Sequence, residues 1–256
     1  MFTLIFKRFI LTLAATGLLM LGAQAQQKFT PDQKSAIEAM IKDYLMSNPE
    51  VIQDALAELE KRQKDKERVA RLSVTQDKAG LLFTSQHQMV FGNPNGDVTL
   101  VEFFDYNCGY CKRALGDKLK LIETDKNLRV IVKEFPVLGQ ASVEAAQVAL
   151  AVKDQLKPEK QLEFHAKLMQ ARGTINRDKA LEIAAGAGAN LEKLRREMDS
   201  PAVLAGIRES VGIADQLGLT GTPSYVIGEE IIVGAVGYGE LKSRIDNVRK
   251  CGKTSC

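Results

Sequence analysis

One short succession in the middle of the chain constrains its fold more than any other. Val98 to Asp105 (Val-Thr-Leu-Val-Glu-Phe-Phe-Asp) is apolar on both alternating faces. Cys108-Gly109-Tyr110-Cys111 then opens a helical stretch that runs to about Asp125, and Leu128 to Phe135 is a second strand ended by Pro136. A strand that is apolar on both sides belongs inside a sheet covered on both faces. Strand, helix and strand in this order make a β-α-β unit with parallel strands and a right-handed crossover. The class is therefore α/β, with two cysteines at the seam between a buried strand and a helix.

Around this unit the pattern is mixed. Gln88 to Phe91 reads as a short strand closed by the turn cluster Gly92-Asn93-Pro94-Asn95-Gly96-Asp97. Residues 140–217 read as helices punctuated by Pro158, Gly173 and Pro201. Ser224–Ile227 and Ile231–Ala235 read as two strands joined by Gly228-Glu229-Glu230, and Gly239–Lys250 as a final helix. No internal repeat is evident.

The first 79 residues hold no strand pattern. Lys7 and Arg8 are the only charges among the first 25 residues, an apolar run from Phe9 to Leu21 follows, and Ala23-Gln24-Ala25 places small residues at −3 and −1 of a cleavage site. That is the layout of a secretory signal peptide, and the run is short of the ~20 residues that a spanning helix needs. Lys7 and Arg8 account for two of the three net positive charges and the segment holds no acid, so a chain beginning at Gln26 carries +1. Such a balance gives no basic face for nucleic acid. The 45% apolar share is enough for a core and excludes global disorder.

Thr30-Pro31 is a helix start, with Pro at the first helical position. Ile37, Met40, Ile41, Tyr44 and Leu45 then share one helical face. Asn48-Pro49 breaks or restarts the helix, and Val51, Ile52, Ala55, Leu56 and Leu59 form a second stripe. From Glu58 to Arg71 charges of both signs crowd the sequence, with no apolar residue between Leu59 and Val69. That stretch reads as a solvated helix laced with i,i+4 pairs, or as a linker or hinge. The stripes before it have nothing nearby in sequence to cover them. Self-association is one solution and docking on the downstream domain another.

The chain has four cysteines, in two pairs that can close only tiny loops. Little stability follows from such loops, which points to chemistry for Cys108 and Cys111. At a helix N-terminus, unpaired N–H groups and the dipole favour an anion and lower a thiol pKa from ~8.5 towards the activated range. Cys108, the more exposed, is the expected nucleophile, and Cys111, one turn in, the resolving thiol. A C-x-x-C is also half of a zinc site. The other half would need Cys251 and Cys256 folded back onto the helix tip, and His87 and His165 are isolated in sequence.

Two more features bear on the pair. Glu102 lies six positions before Cys108 inside the apolar strand. There a carboxylate is expected to be buried, with a raised pKa, and able to move protons for the resolving thiol, whereas on an edge strand it would face water. Gly221-Thr222-Pro223 precedes the hairpin. A cis Thr222–Pro223 bond would turn the backbone groups of Thr222 outward to pair with a substrate strand; the alternative is an ordinary loop proline.

Taken together, these residues resemble the thioredoxin superfamily. The helical block before Thr222-Pro223 is similar to that of its DsbA-like branch, whose signatures Phe103 to Cys111, Phe164-His165 and Gly218 to Pro223 look like. Tyr44-Leu45, Asn48 to Ile52 and Ala55-Leu56 resemble the N-terminal oligomerisation region of ScsC (suppressor of copper sensitivity C) proteins. The resemblance implies a thioredoxin fold with an inserted helical domain, preceded by a helical stalk. The corresponding divisions are a signal peptide over 1–25, an oligomerisation stalk and linker over 26–79, and a DsbA-like domain over 80–256 with the insertion at about 140–217.

It further implies a periplasmic thiol–disulfide oxidoreductase, a homotrimer through residues 31–60. Misoxidised or unfolded exported proteins would be its substrates, and a ScsB-like membrane reductase its partner. Gly109-Tyr110 and Thr222 are similar to the disulfide isomerase DsbC rather than to the oxidase DsbA, which favours isomerase over oxidase. No cofactor beyond the redox-active pair is expected. Copper binding or a holdase-like chaperone role through the same thiols is the alternative. Two departures stand out. Gly116 occupies the place of the usual helix-kinking proline, and the tail from Lys250 to Cys256 lies outside the family pattern. For Cys251 and Cys256 a local disulfide is the leading reading, with a redox relay or a copper(I) thiolate pair beside it.

Overall fold

The computed structural model describes residues 29–256, so the expected signal peptide lies outside the described residues. The described chain divides into two units, the first ending at Lys61 and the second spanning Arg62–Cys256.

The first unit is helical. Helix α1 (Pro31–Ser47) starts in a capping box: Thr30 Oγ1 accepts from Gln33 N, and Gln33 Oε1 accepts from Thr30 N at 2.9 Å. It buries none of its residues. Met40 and Tyr44, on the apolar stripe, are 69% and 57% exposed. Pro49 separates α1 from α2 (Glu50–Gln76). In the first part of α2 Ile52, Leu56 and Leu59 are also exposed. Both stripes foreseen from periodicity therefore exist and are uncovered in the single chain.

The charged run is continuous helix up to Gln76. Its last turns belong to the second unit, because Thr75 is fully buried and Val74 packs on the core. The division thus falls earlier than the 79/80 boundary read from sequence. The short helix α3 (Leu81–Thr84), which buries Leu82 and Phe83, was not foreseen.

The second unit is built on a five-stranded sheet. Its strands are β1 (Met89–Gly92), β2 (Val98–Phe104), β3 (Leu128–Glu134), β4 (Ser224–Ile227) and β5 (Glu230–Val233), in the spatial order β1-β3-β2-β4-β5. Strands β2 and β3 are parallel, joined by α4 (Gly109–Thr124), and every other pairing is antiparallel. Strand β2 is central. Leu100 and Phe104 enter the core on one face of the sheet, Val101 and Phe103 the core on the other. This is why the sequence of β2 shows no polar face.

Five helices are inserted between β3 and β4: α5 (Gln140–Lys153), α6 (Pro158–Gln170), α7 (Arg177–Gly186), α8 (Leu191–Glu197) and α9 (Pro201–Gln216). Pro158 and Pro201 both stand at helix starts, where a missing N–H is harmless. The final helix, α10 (Tyr238–Cys251), buries Leu241 and Ile245. The β4–β5 turn is tighter than expected. Glu230 already pairs with Ile227, leaving Gly228 and Glu229 as the loop, with Gly228 at φ 59° as such a turn demands.

Candidate active site

Cys108 is the N-cap residue of α4, so its side chain stands at the end of the helix where free N–H groups favour negative charge. Its thiol donates to the carbonyl oxygen of Thr222 at 3.2 Å. The Thr222–Pro223 peptide bond is cis. Gly109 and Tyr110 are exposed, and the Arg113 guanidinium lies 4.2 Å from the Tyr110 ring centre. Cys111, one turn on, is wholly buried, whereas Cys108 keeps 6% of its surface. Both thiols are free. Burial and then the charge of Glu102 push the Cys111 thiol well up. The two sulfurs are thus unequal: one at the rim, the other held as a protonated thiol in the core.

Glu102 is fully buried in β2. It has a buried partner that the sequence did not reveal. Lys118 on α4, also buried, places Nζ 2.5 Å from Glu102 Oε2. Pairing offsets the heavy cost of burying either charge alone. Lys118 Nζ also lies 2.8 Å from His165 Nε2, and His165 Nδ1 lies 3.1 Å from the Tyr106 hydroxyl. A further buried carboxyl, Glu134 at the end of β3, lies near enough for its charge to bear on Tyr106. Burial, and then the nearby charge of Asp105, raise Glu134 well above the usual carboxylate range. Burial and the Lys118 charge lower His165 well below the usual histidine value. The Lys118–Glu102 pair thus sits where the carboxylate charge bears on Cys111, while burial favours the uncharged forms of His165 and Glu134.

The segment before the cysteines is held from behind. Asp105 Oδ1 accepts from the Asn107 N–H and the Ser142 hydroxyl, and Oδ2 from the Val137 and Leu138 N–H groups at 2.9 and 3.0 Å. Asn107 pairs with Ile175 through both backbone groups of that residue. The inserted helices thus brace the C-x-x-C loop.

Cys108, Cys111, Glu102, Thr222 and Pro223 come together in this way. Cys251 and Cys256 do not join them. They form a disulfide with each other just beyond α10. Arg249 of that helix bonds Asp97 and Asp125, which lie before β2 and after α4, at the end of the sheet away from Cys108. Lys118, His165, Tyr106, Glu134 and Asp105 were not assigned roles from sequence. Lys118 carried a usable signal: it falls on the same face of α4 as Cys111, Ala114, Leu115 and Leu121.

A free cysteine pair at a helix N-terminus, facing a cis-proline across a central strand, defines a thioredoxin-fold thiol–disulfide oxidoreductase. Comparison with known proteins agrees. The profile of the DSBA-like thioredoxin domain matches residues 99–246, and that of the copper resistance protein ScsC N-terminal domain matches residues 33–66. The chain belongs to the DSBA-like thioredoxin-domain family and carries an ScsC N-terminal domain ahead of it.

Among solved structures it is similar to a thioredoxin-like oxidoreductase from Silicibacter pomeroyi, with 41% identity over 66% of this chain and 96% of the other and a TM-score of 0.63. ScsC from Proteus mirabilis is 27% identical over 87% of this chain and 98% of its own, with a TM-score of 0.61. A curated relative, the Na(+)/H(+) antiporter NhaA of Herminiimonas arsenicoxydans, is 28% identical over 138 residues, which are 53% of this chain and 21% of the antiporter. The chain thus spans about a fifth of that relative's length. Among the described residues no helix is long and apolar enough to cross a membrane.

Proposed function

We propose that the protein is a periplasmic protein-disulfide isomerase and reductase that acts on misoxidised exported proteins as a homotrimer. The observation that carries the chemistry is Cys108 at the tip of α4 with its sulfur 3.2 Å from the Thr222 carbonyl, beside the cis-proline. A substrate strand laid along Thr222 brings its disulfide onto Cys108. The Cys108 thiolate attacks one substrate sulfur, the substrate S–S bond breaks, and the second substrate sulfur leaves as thiolate. That thiolate, or another in the substrate, can attack the mixed disulfide and release Cys108 with a new pairing, which is isomerisation.

If no correct partner is found, Cys111 closes onto Cys108. The substrate leaves reduced, and the Cys111 proton passes to Glu102. The oxidised pair then needs two electrons from a dithiol donor, which is the role of a ScsB-like membrane reductase. The preference for isomerase over oxidase is supported by Gly109-Tyr110, by Thr222, and by the uncovered apolar stripes of α1 and α2. Three copies joined through those stripes would hold several Cys108 thiols over one misfolded substrate and raise their effective concentration. The signal-peptide pattern over 1–25 supports export.

Copper fits the site poorly. A soft thiolate pair could select copper(I), yet burial pushes the Cys111 thiol up and so works against its thiolate form.

The test is reactivation of scrambled, fully oxidised ribonuclease by the exported form under a mildly reducing glutathione poise. The expected result is recovery that disappears in Cys108→Ser. Rapid oxidation of reduced ribonuclease without recovery of the scrambled form would replace isomerase by oxidase.

A further inference from the structure

The buried polar chain behind the cysteines extends further than the exchange reaction needs. Glu102 and Lys118 suffice to receive a proton from Cys111. Beyond them stand His165, Tyr106 and Glu134, all buried, on three different elements: α6, the loop after β2, and the end of β3. Packing alone does not call for a histidine at position 165. Its ring lies among Phe91, Phe104 and Tyr106 at centroid distances of 4.8 to 5.5 Å, where an apolar ring would serve. What it adds is a pair of nitrogens.

The Lys118 ammonium sets the donor and acceptor roles at the imidazole. A lysine ammonium has only donors, so Lys118 donates to Glu102 and to His165 Nε2. With Nε2 accepting, the ring proton is on Nδ1, which donates to the Tyr106 oxygen. On one side of the ring Tyr106 accepts from Nδ1, and on the other His165 presents a lone pair to Lys118. The groups that face the imidazole are Lys118 from α4 and Tyr106 from the β2–α4 loop, with Glu102 one bond beyond Lys118 and the buried Glu134 carboxyl near Tyr106. Strand β1 contributes the Phe91 ring.

We propose that His165 is a positioning residue for the exchange reaction: its imidazole, with the proton on Nδ1 toward Tyr106, accepts from the Lys118 ammonium and holds that ammonium against Glu102, the carboxylate that serves Cys111. The inference rests on the function proposed above, because it concerns the step in which Cys111 resolves the mixed disulfide. In that step the Cys111 S–H bond breaks, its proton goes to Glu102, and the sulfur electron pair forms the bond to Cys108 as the substrate thiolate leaves. Without His165 as acceptor, the buried ammonium loses one of its two partners and gives up its proton more readily. Glu102 then lacks its counter-charge, takes a proton, and ceases to be a base.

Three variants and one spectrum test this. His165→Leu removes the acceptor, His165→Gln restores a side-chain oxygen for Lys118, and Tyr106→Phe keeps the ring but removes the oxygen that accepts from Nδ1. The primary reading is the single-turnover rate at which Cys111 resolves a preformed mixed disulfide on Cys108, measured against pH. His165→Leu is expected to slow it about tenfold at neutral pH and to move the rise in rate to higher pH, consistent with the loss of a hydrogen bond to a charged group. His165→Gln is expected to stay within about twofold of the unaltered protein. The nitrogen NMR spectrum of His165 in the unaltered protein is expected to show a protonated Nδ1 and no titration near neutrality. A folded His165→Leu with an unchanged profile overturns the inference, as does His165→Gln failing like His165→Leu. A ring protonated on Nε2 overturns it without reference to activity, so unfolded variants leave the question decidable. If the unaltered protein neither isomerises nor reduces disulfides while its imidazole shows the Nδ1 proton, the proposed function fails and the geometry stands.

Discussion

The Ser142 hydroxyl lies 2.7 Å from Oδ1 of Asp105 and ties the first inserted helix to the segment that presents the cysteines. Asp105 accepts from two backbone N–H groups of the loop after β3 as well, and from the N–H of Asn107. An amide at this position turns one acceptor oxygen into a donor facing donors. Asp105→Asn is expected to lower the unfolding free energy by about 2–4 kcal/mol, measured by urea titration. A change below about 0.5 kcal/mol would mean that packing alone holds the loop.

Glu102 and Lys118 act as a unit in the core. Removing one partner leaves the other buried and unmatched, a loss of about 3–5 kcal/mol. Glu102→Gln and Lys118→Met are each expected to fall in that range by chemical denaturation. The double variant is expected to lose clearly less than the sum of the two. Additive losses in the double-mutant cycle would show that the two charges are solvated independently.

Lys133 is buried at the end of β3 and donates to the carbonyl of Leu81 at 2.8 Å. Burial brings its ammonium down from 10.5 to about 8. Below pH 8 both the folded and unfolded chains carry this proton, and the folded state bears the full penalty. Between about 8 and 10.5 only the unfolded chain keeps the proton, so this residue makes stability rise with pH there. Lys133→Met is expected to stabilise the protein by about 1–3 kcal/mol at neutral pH, less whatever the lost hydrogen bond contributed. Its advantage should shrink as pH climbs through that window. Thermal melts across pH 6 to 10 are the check, and an advantage that does not depend on pH would contradict the assignment.

The Cys251–Cys256 disulfide closes a loop of few residues, and the entropy it removes from the unfolded chain corresponds to about 2 kcal/mol. Replacing both cysteines by serine is expected to cost at most that much and to leave the rate of Cys108 alkylation unchanged. A slower alkylation rate would join the tail to the redox site after all.

Much of this site could be read before the fold was known, and the parts that could not share a cause. Strand β2 announced itself by being apolar on both faces, and Cys108 by following it into a helix. Thr222-Pro223 drew notice because a proline before a strand is a constrained choice. All three are local signals. Lys118, His165 and Glu134 are ordinary polar residues on helices or at a strand end, and each is buried only because two other elements close over it. Their meaning is tertiary. Lys118 came nearest to visibility, since it sits in register with four buried residues of α4. Helix α3 was missed for a related reason: four residues are too few for a periodic pattern.

Cys108 and Thr222 face each other across 114 positions of sequence, because all the inserted helices lie between the two strands that flank them. Closing so wide a loop is slow, and its entropy is offset only when β4 docks on β2. A chain emerging from its N-terminus therefore has both cysteines in place long before the strand that completes their surroundings. The order of connections makes the competent site a late product of folding, and a half-emerged chain presents its thiols without the surface that selects what they react with.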